Sequence, residues 1–267
     1  MASLAAILVF LSAGLAASQD RAPLLSMARS QLLSGRLADC RRTLDAILLA
    51  EPRHTAALKM QSDVYYLSGE DAKAEASLLK ALNVEPRNAE LHYALGRIYY
   101  QESRPEPASE QFNKTIEIDP ASYKAWDNLG LCYQALNRDP EAIRAFLKAL
   151  ELVHETHRDY EWPYANLADL LIQKGDYEKA FELAAEASER NPRSARNFYL
   201  TGKALVKLNK LDLAIRWLKR ATEVDQNYPE AHYLLARIYR EKGQVEEGKR
   251  ELRQFEEARA KTPQHRR

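Results

Sequence analysis

An all-α solenoid of seven helical hairpins is the fold class this sequence predicts, and three observations carry the prediction. One spacing recurs every 34 residues, giving repeats 21–54, 55–88, 89–122, 123–156, 161–194, 195–228 and 229–262; the four residues 157–160 (HRDY) are the one break in register. Two positions of every repeat hold small residues. The eighth is Ala28, Ser62, Gly96, Gly130, Ala168, Gly202 or Ala236, and the twentieth is Cys40, Ala74, Ala108, Ala142, Ala180, Ala214 or Gly248. Small side chains there let two helices approach closely while bulkier neighbours interlock around the contact. The fifteenth residue is Gly35, Gly69, Ser103, Asn137, Gly175, Asn209 or Gly243. Gly and Asn tolerate the left-handed conformation that ends a helix, so each repeat breaks into helix, turn, helix.

The repeats justify themselves in order. In 21–54, Gly35 makes the turn and Pro52 stops the second helix, while Gln31 stands where an aromatic is expected. In 55–88 the same places are taken by Gly69 and Pro86, and in 89–122 by Ser103 and Pro120. Repeat 123–156 shows the full helical spacing, with Trp126, Leu129, Gly130 and Tyr133 on the first helix and Ala142, Phe146 and Ala149 on the second. His154 replaces its final Pro, and HRDY then lengthens a helix or a loop. Gly175 and Pro192 mark 161–194, and Gly202, Asn209 and Ala214 mark 195–228. The last repeat, 229–262, departs from the pattern at Gly248 and Ala260, and the basic residues 263–267 (PQHRR) are too few and polar for a capping helix. Its hairpin is expected to fray first.

The order Trp, Leu-Gly, Tyr, Ala, Phe, Ala, Pro resembles the tetratricopeptide repeat (TPR) family, and the resemblance covers 21–262. It implies an all-α, right-handed superhelical solenoid of seven TPR helix-turn-helix hairpins, in which the first helices line a concave side where ligands usually lie. Trp126, Tyr133 and Phe146 are then packing residues, and function belongs to the positions that the pattern leaves free.

Composition narrows the classes. With 46% hydrophobic and 29% charged residues the chain can build a core, and a formal net charge of +1 gives no reason to expect nucleic acid as a partner. Residues 1–18 have the outline of a secretory signal, an uncharged apolar run ending in Ala16, Ala17 and Ser18, with cleavage near Ser18/Gln19. No Lys or Arg precedes the run, and a retained N-terminal membrane anchor is the alternative reading. The solenoid is then 19–262, exported to a periplasmic or secreted location. Cys40 and Cys132 lie in repeats too far apart to bond, so both are expected to be buried, inert thiols.

Positions 2, 5, 6, 9, 12 and 13 of a repeat lie off the helix-pair contact and face the groove. Asn128 and Asn166 share the sixth position in adjacent repeats, and a side-chain amide both donates and accepts, which suits it to grip peptide main chain. The TPR resemblance implies the same role, since similar asparagines bind peptide backbone in several TPR proteins. Tyr93, Tyr199 and Tyr233 at the fifth position stand one turn from Arg97, Lys203 and Arg237 at the ninth. An aromatic beside a cation is the chemistry of interface anchors. The partner-binding candidates are therefore Tyr93, Arg97, Asn128, Asn166, Tyr199, Lys203 and Tyr233, with Arg97 and Lys203 favouring an acidic protein or peptide. The carboxylate clamp of some TPR domains fits poorly, because Leu25 and Arg29 stand where it places Lys and Asn.

Nothing points to chemistry. His154 and His157 are one residue short of the H-E-x-x-H spacing with no third ligand indicated, and His92 and His232 occupy a packing position. Asn113-Lys114-Thr115 matches a glycosylation acceptor within a predicted helix. No serine elbow or phosphate-cradling loop occurs, and a curved groove is not a closed, dry pocket. The sequence thus predicts a non-enzymatic scaffold without cofactor or metal, binding an extended or helical partner segment. The alternatives are an envelope assembly factor acting through its convex face or edges, and a targeting subunit for a separate enzyme.

Overall fold

The structure is a computed structural model describing residues 21–154 and 156–261. Among the described residues there are fourteen α-helices and no strand. They fall into two compact units that divide between Pro120 and Ala121, where the sequence reading treats the array as one domain. The expected signal or anchor over 1–18 and the tail 263–267 lie outside the described residues.

The N-terminal unit holds three hairpins: α1 (Arg21–Leu33) with α2 (Leu37–Ala50), α3 (Thr55–Leu67) with α4 (Asp71–Leu82), and α5 (Ala89–Gln101) with α6 (Pro105–Ile118). The C-terminal unit holds four: α7 (Tyr123–Ala135) with α8 (Asp139–Val153), α9 (Trp162–Lys174) with α10 (Tyr177–Arg190), α11 (Ala195–Lys207) with α12 (Leu211–Val224), and α13 (Pro229–Glu241) with α14 (Val245–Lys261).

All seven turns are built alike. Every fifteenth residue is left-handed, including Ser103 (φ 58°), which has neither the freedom of Gly nor the tolerance of Asn. The residue after it donates its backbone N–H five residues back, as Arg104 does to Tyr99 O at 2.9 Å and Arg138 to Tyr133 O at 2.8 Å. This Schellman arrangement satisfies a helix-end carbonyl seven times over and fixes the hairpin angle. The second helices end at Ala50, Leu82, Ile118 and Arg190, ahead of Pro52, Pro86, Pro120 and Pro192.

Within a hairpin, the eighth residue meets the twenty-fourth, and their sizes are matched. Phe112 and Phe146 are fully buried, and a Cβ at Gly96 or Gly130 would stand only 2.8 Å or 2.5 Å from the facing ring. Where the twenty-fourth residue is Ala184, the eighth can be Ala168, and both are fully buried. Gln31, the polar residue where an aromatic is expected, is buried and accepts the Thr43 hydroxyl at 2.9 Å, a polar contact across the first hairpin.

HRDY makes a loop. Helix α8 stops at Val153, and the loop folds back on α7, where Tyr160 sits edge-on to Tyr123 with ring centroids 4.8 Å apart. Both cysteines are free and buried; burial raises the thiol of Cys132 to about 12, which keeps it protonated. No helix among the described residues is long and apolar enough to cross a membrane.

Candidate functional site

The first helices of neighbouring repeats touch one another in both units, α1 with α3, and α7 with α9, α9 with α11, and α11 with α13. Their shared faces carry the candidate residues.

In the N-terminal unit this face is charged and ion-paired. Lys59 of α3 reaches Asp63 at 3.3 Å and Glu90 of α5 at 2.8 Å. Burial raises the Asp63 carboxyl, against the lowering pull of Lys59. Arg97 is exposed, with its guanidinium 5.5 Å from the Tyr66 ring centre. Tyr93 is half-buried against Phe112, ring centroids 5.8 Å apart. Tyr93 and Arg97 thus stand on one helix, the ring anchored inward and the cation outward.

In the C-terminal unit a chain of polar side chains runs across three first helices. Asp127 of α7 is 3% exposed and accepts from Asn166 Nδ2 of α9 at 2.9 Å and from the Tyr160 hydroxyl at 3.1 Å. Asn166 Oδ1 in turn accepts from Arg196 Nη2 of α11 at 3.1 Å. The other terminal nitrogen of Arg196, Nη1, is buried without a hydrogen-bond partner among the described residues, and the guanidinium lies 6.0 Å from the centre of the half-exposed Trp162 ring. Burial pushes the Asp127 carboxyl up to about 6; its hydrogen bonds from Asn166 and Tyr160 act in the opposite direction. Beside this chain, Glu161 is buried and accepts from Asn191 at 2.8 Å.

The two asparagines are therefore not presented alike. Asn166, expected to face the groove, is only 4% exposed, with both ends of its amide engaged by neighbouring first helices. Asn128 is half-buried and donates to the Lys124 carbonyl of its own helix at 2.8 Å. The cause is local: Asp127 and Arg196, on the repeats either side, close over Asn166.

Further along the face, Lys203 pairs with Asp169 at 3.0 Å and stands 5.8 Å from the Tyr199 ring centre. Tyr199 packs on Tyr228 at 5.4 Å, and burial raises its phenol to about 12. A cavity of about 330 Å³ opens between α11 and α13, lined in part by Tyr199, Lys203, Tyr233 and Arg237, with Leu234 and Phe255 apolar among them. Tyr233 is half-exposed and its ring lies 5.4 Å from that of Phe255. Three candidates, Tyr199, Lys203 and Tyr233, thus meet in one cavity, together with Arg237 from the same position series. The contribution of α14 through Phe255 has no signal in the first-helix positions.

The histidines are tied into hairpins. His92 pairs with Gln111 at 2.8 Å and with Pro86 O at 3.0 Å, and His232 repeats the pattern with Glu251 at 2.7 Å and Gln226 O at 3.1 Å. His154 approaches the Tyr164 hydroxyl at 3.3 Å, whereas His157 bonds Thr156 at 2.7 Å. Among the described residues no group of three His, Cys, Asp or Glu side chains could hold a metal ion.

Family models of the tetratricopeptide repeat match residues 21–46, 63–103, 89–122, 122–193, 171–238 and 205–267. No curated protein sequence matches the chain. Among solved structures, Pseudomonas aeruginosa pilF is 20% identical with a TM-score of 0.72, over 82% of this chain and 98% of that one. A tetratricopeptide repeat protein from Parabacteroides merdae is 17% identical with a TM-score of 0.70, covering 92% of this chain and 95% of its own. PilW, described as a widely conserved type IV pilus biogenesis factor, is 18% identical with a TM-score of 0.67, covering 75% of this chain and 91% of its own. At these identities the likeness is one of fold.

Proposed function

Because this chain belongs to the tetratricopeptide repeat family, a fold that serves protein–protein interaction, we propose that it is a non-enzymatic scaffold of the cell envelope or secretory space. It holds an extended or helical segment of a protein partner along the concave, first-helix side. The observation that carries this reading is the cavity between α11 and α13, where Tyr199, Lys203 and Tyr233 meet. An aromatic pair over an apolar floor gives area, and Lys203, Lys207 and Arg237 outnumber Glu230 among the charged residues of the lining, which gives a preference for acidic side chains. Tyr93 and Arg97 offer the same chemistry on α5, and Asn128 offers an amide at the edge of the face. Asn166 acts behind them, by holding Arg196 in place. The apolar run over residues 2–18 and the likeness to a pilus biogenesis factor support an envelope location.

The test is affinity capture from an envelope fraction by the protein and by a folded Tyr199→Ala/Lys203→Ala/Tyr233→Ala variant. A partner held by the first and lost by the second supports the reading. Equal retention by both, with circular dichroism matched, sinks it and favours the convex face or the edges.

A further inference from the structure

The last hairpin leaves open a surface that its predecessors close. The twenty-fourth residues of the other six repeats, Leu44, Leu78, Phe112, Phe146, Ala184 and Leu218, are each 0% exposed, whereas Leu252 is 43% exposed. The preceding hairpin shows what fills such a crevice. There α13 lies against α11 and α12, with Ala231, Leu235 and Ile238 packed among Ala214, Leu218 and Ala221. The equivalent crevice between α13 and α14 has a volume of about 340 Å³, with Ala236, Gly248 and Leu252 forming its apolar lining. Its floor is therefore shaped for a helix.

Charge selects the kind of helix. The charged residues lining the crevice are Arg237, Arg240 and Lys249, with no carboxylate among them. Lys249 pairs with Glu246 of its own helix at 2.8 Å, but Arg237 and Arg240 form no ion pair among the described residues. The first helix of the chain offers no complement, since the charged residues of α1 are Arg21 and Arg29. Residues 262–267, which follow α14 in the sequence, likewise contain Arg266 and Arg267 and no carboxylate. A second copy stacked head to tail would bring cation to cation. We infer that the α13–α14 end seats an amphipathic helix of a partner protein, one whose apolar stripe is flanked by Asp or Glu. This surface adjoins the first-helix cavity of the proposed function, sharing Tyr233 and Arg237 with it, whereas Arg240, Lys249 and Leu252 line the crevice and not that cavity.

The probe is a helix-constrained, fluorescently labelled peptide with the sequence of residues 229–241, the segment that fills the preceding crevice, in which Arg237 and Arg240 are replaced by Glu. A control peptide carries Lys at both places. In anisotropy titrations against the whole protein, the Glu peptide is expected to bind at least about tenfold tighter than the Lys peptide. Leu252→Glu, and independently Arg240→Glu/Lys249→Glu, should each weaken it by about tenfold or more. Both variants alter exposed side chains, so folding is expected to survive. Equal binding of the two peptides, or affinity unchanged in both variants, overturns the inference. Sedimentation velocity supplies a further arm: dimerisation of the protein alone that Leu252→Glu abolishes would overturn it in favour of a second copy.

Discussion

The first-helix faces of the two units use the same repeat positions for opposite ends. In the N-terminal unit, Lys59 bridges Asp63 and Glu90 within reach of water. In the C-terminal unit, Asp127, Asn166 and Arg196 are drawn under neighbouring helices, where each depends on its partner. The repeat fixes where a side chain stands. What stands on the flanking repeats decides whether water reaches it. A solvated ion pair contributes little, whereas a buried polar chain fixes a unique arrangement and is costly to leave half made.

That contrast can be broken most directly at its centre. Asn166→Ala should destabilise the protein by about 2–3 kcal/mol in urea unfolding, because it strands a buried carboxylate and a partly buried guanidinium. A loss below about 1 kcal/mol would mean that Arg196 closes directly on Asp127, and the contrast would collapse.

Acidity sharpens it next. The Asp127 carboxyl titrates near 4 when unfolded and is raised to about 6 when folded, so the folded state holds the proton more tightly. The stability this contributes is full below about pH 4 and is lost as pH rises through about 6, a change of the order of 2–3 kcal/mol. Asp127→Asn should flatten that part of the profile, and the difference between the two proteins' urea midpoints from pH 4 to pH 7 isolates it from other carboxylates such as Asp63. A parallel pair of profiles would show that Asp127 is not the group responsible.

Smaller effects follow at the edges. Tyr160→Phe removes one hydrogen bond to Asp127 and should cost about 1 kcal/mol, which would tie the HRDY loop energetically to the polar chain; an unchanged unfolding midpoint would detach it. Lys59→Ala, made in the solvated cluster, should change stability by less than about 1 kcal/mol. A larger loss there would show that the two faces are not distinguished by burial after all.

The period, the turns and the close contacts were legible in the sequence because each is set within one repeat. The seven left-handed residues and the small pairs at positions 8 and 20 need no knowledge of neighbours. Even Ser103, a poor left-handed residue, is carried into place by the Schellman bonds around it. What sequence could not show is decided between repeats. Asn128 and Asn166 occupy the same position, yet Asn166 is enclosed by an Asp and an Arg of the flanking helices, whereas Asn128 donates to a carbonyl of its own helix. Likewise Leu252 reads as one more core residue until the helix that should cover it is sought. The division at Pro120 and Ala121 had no sequence marker beyond a proline shared with three other repeats. Phe255 entered the cavity from a second helix, which a reading of first-helix positions passes over.

The matched sizes at positions 8 and 24 bear on how such a chain could diversify. Gly130 and its partner Phe146 belong to one hairpin, and so do Ala168 and Ala184. Recombination that copies or excises a whole 34-residue repeat carries both halves of the fit together. A crossover falling between the two helices would instead set Ala168 against a phenyl ring or leave Gly130 facing a methyl group, one too crowded and the other hollow. Whole repeats are therefore the natural currency of exchange for this chain, and half-repeats are not.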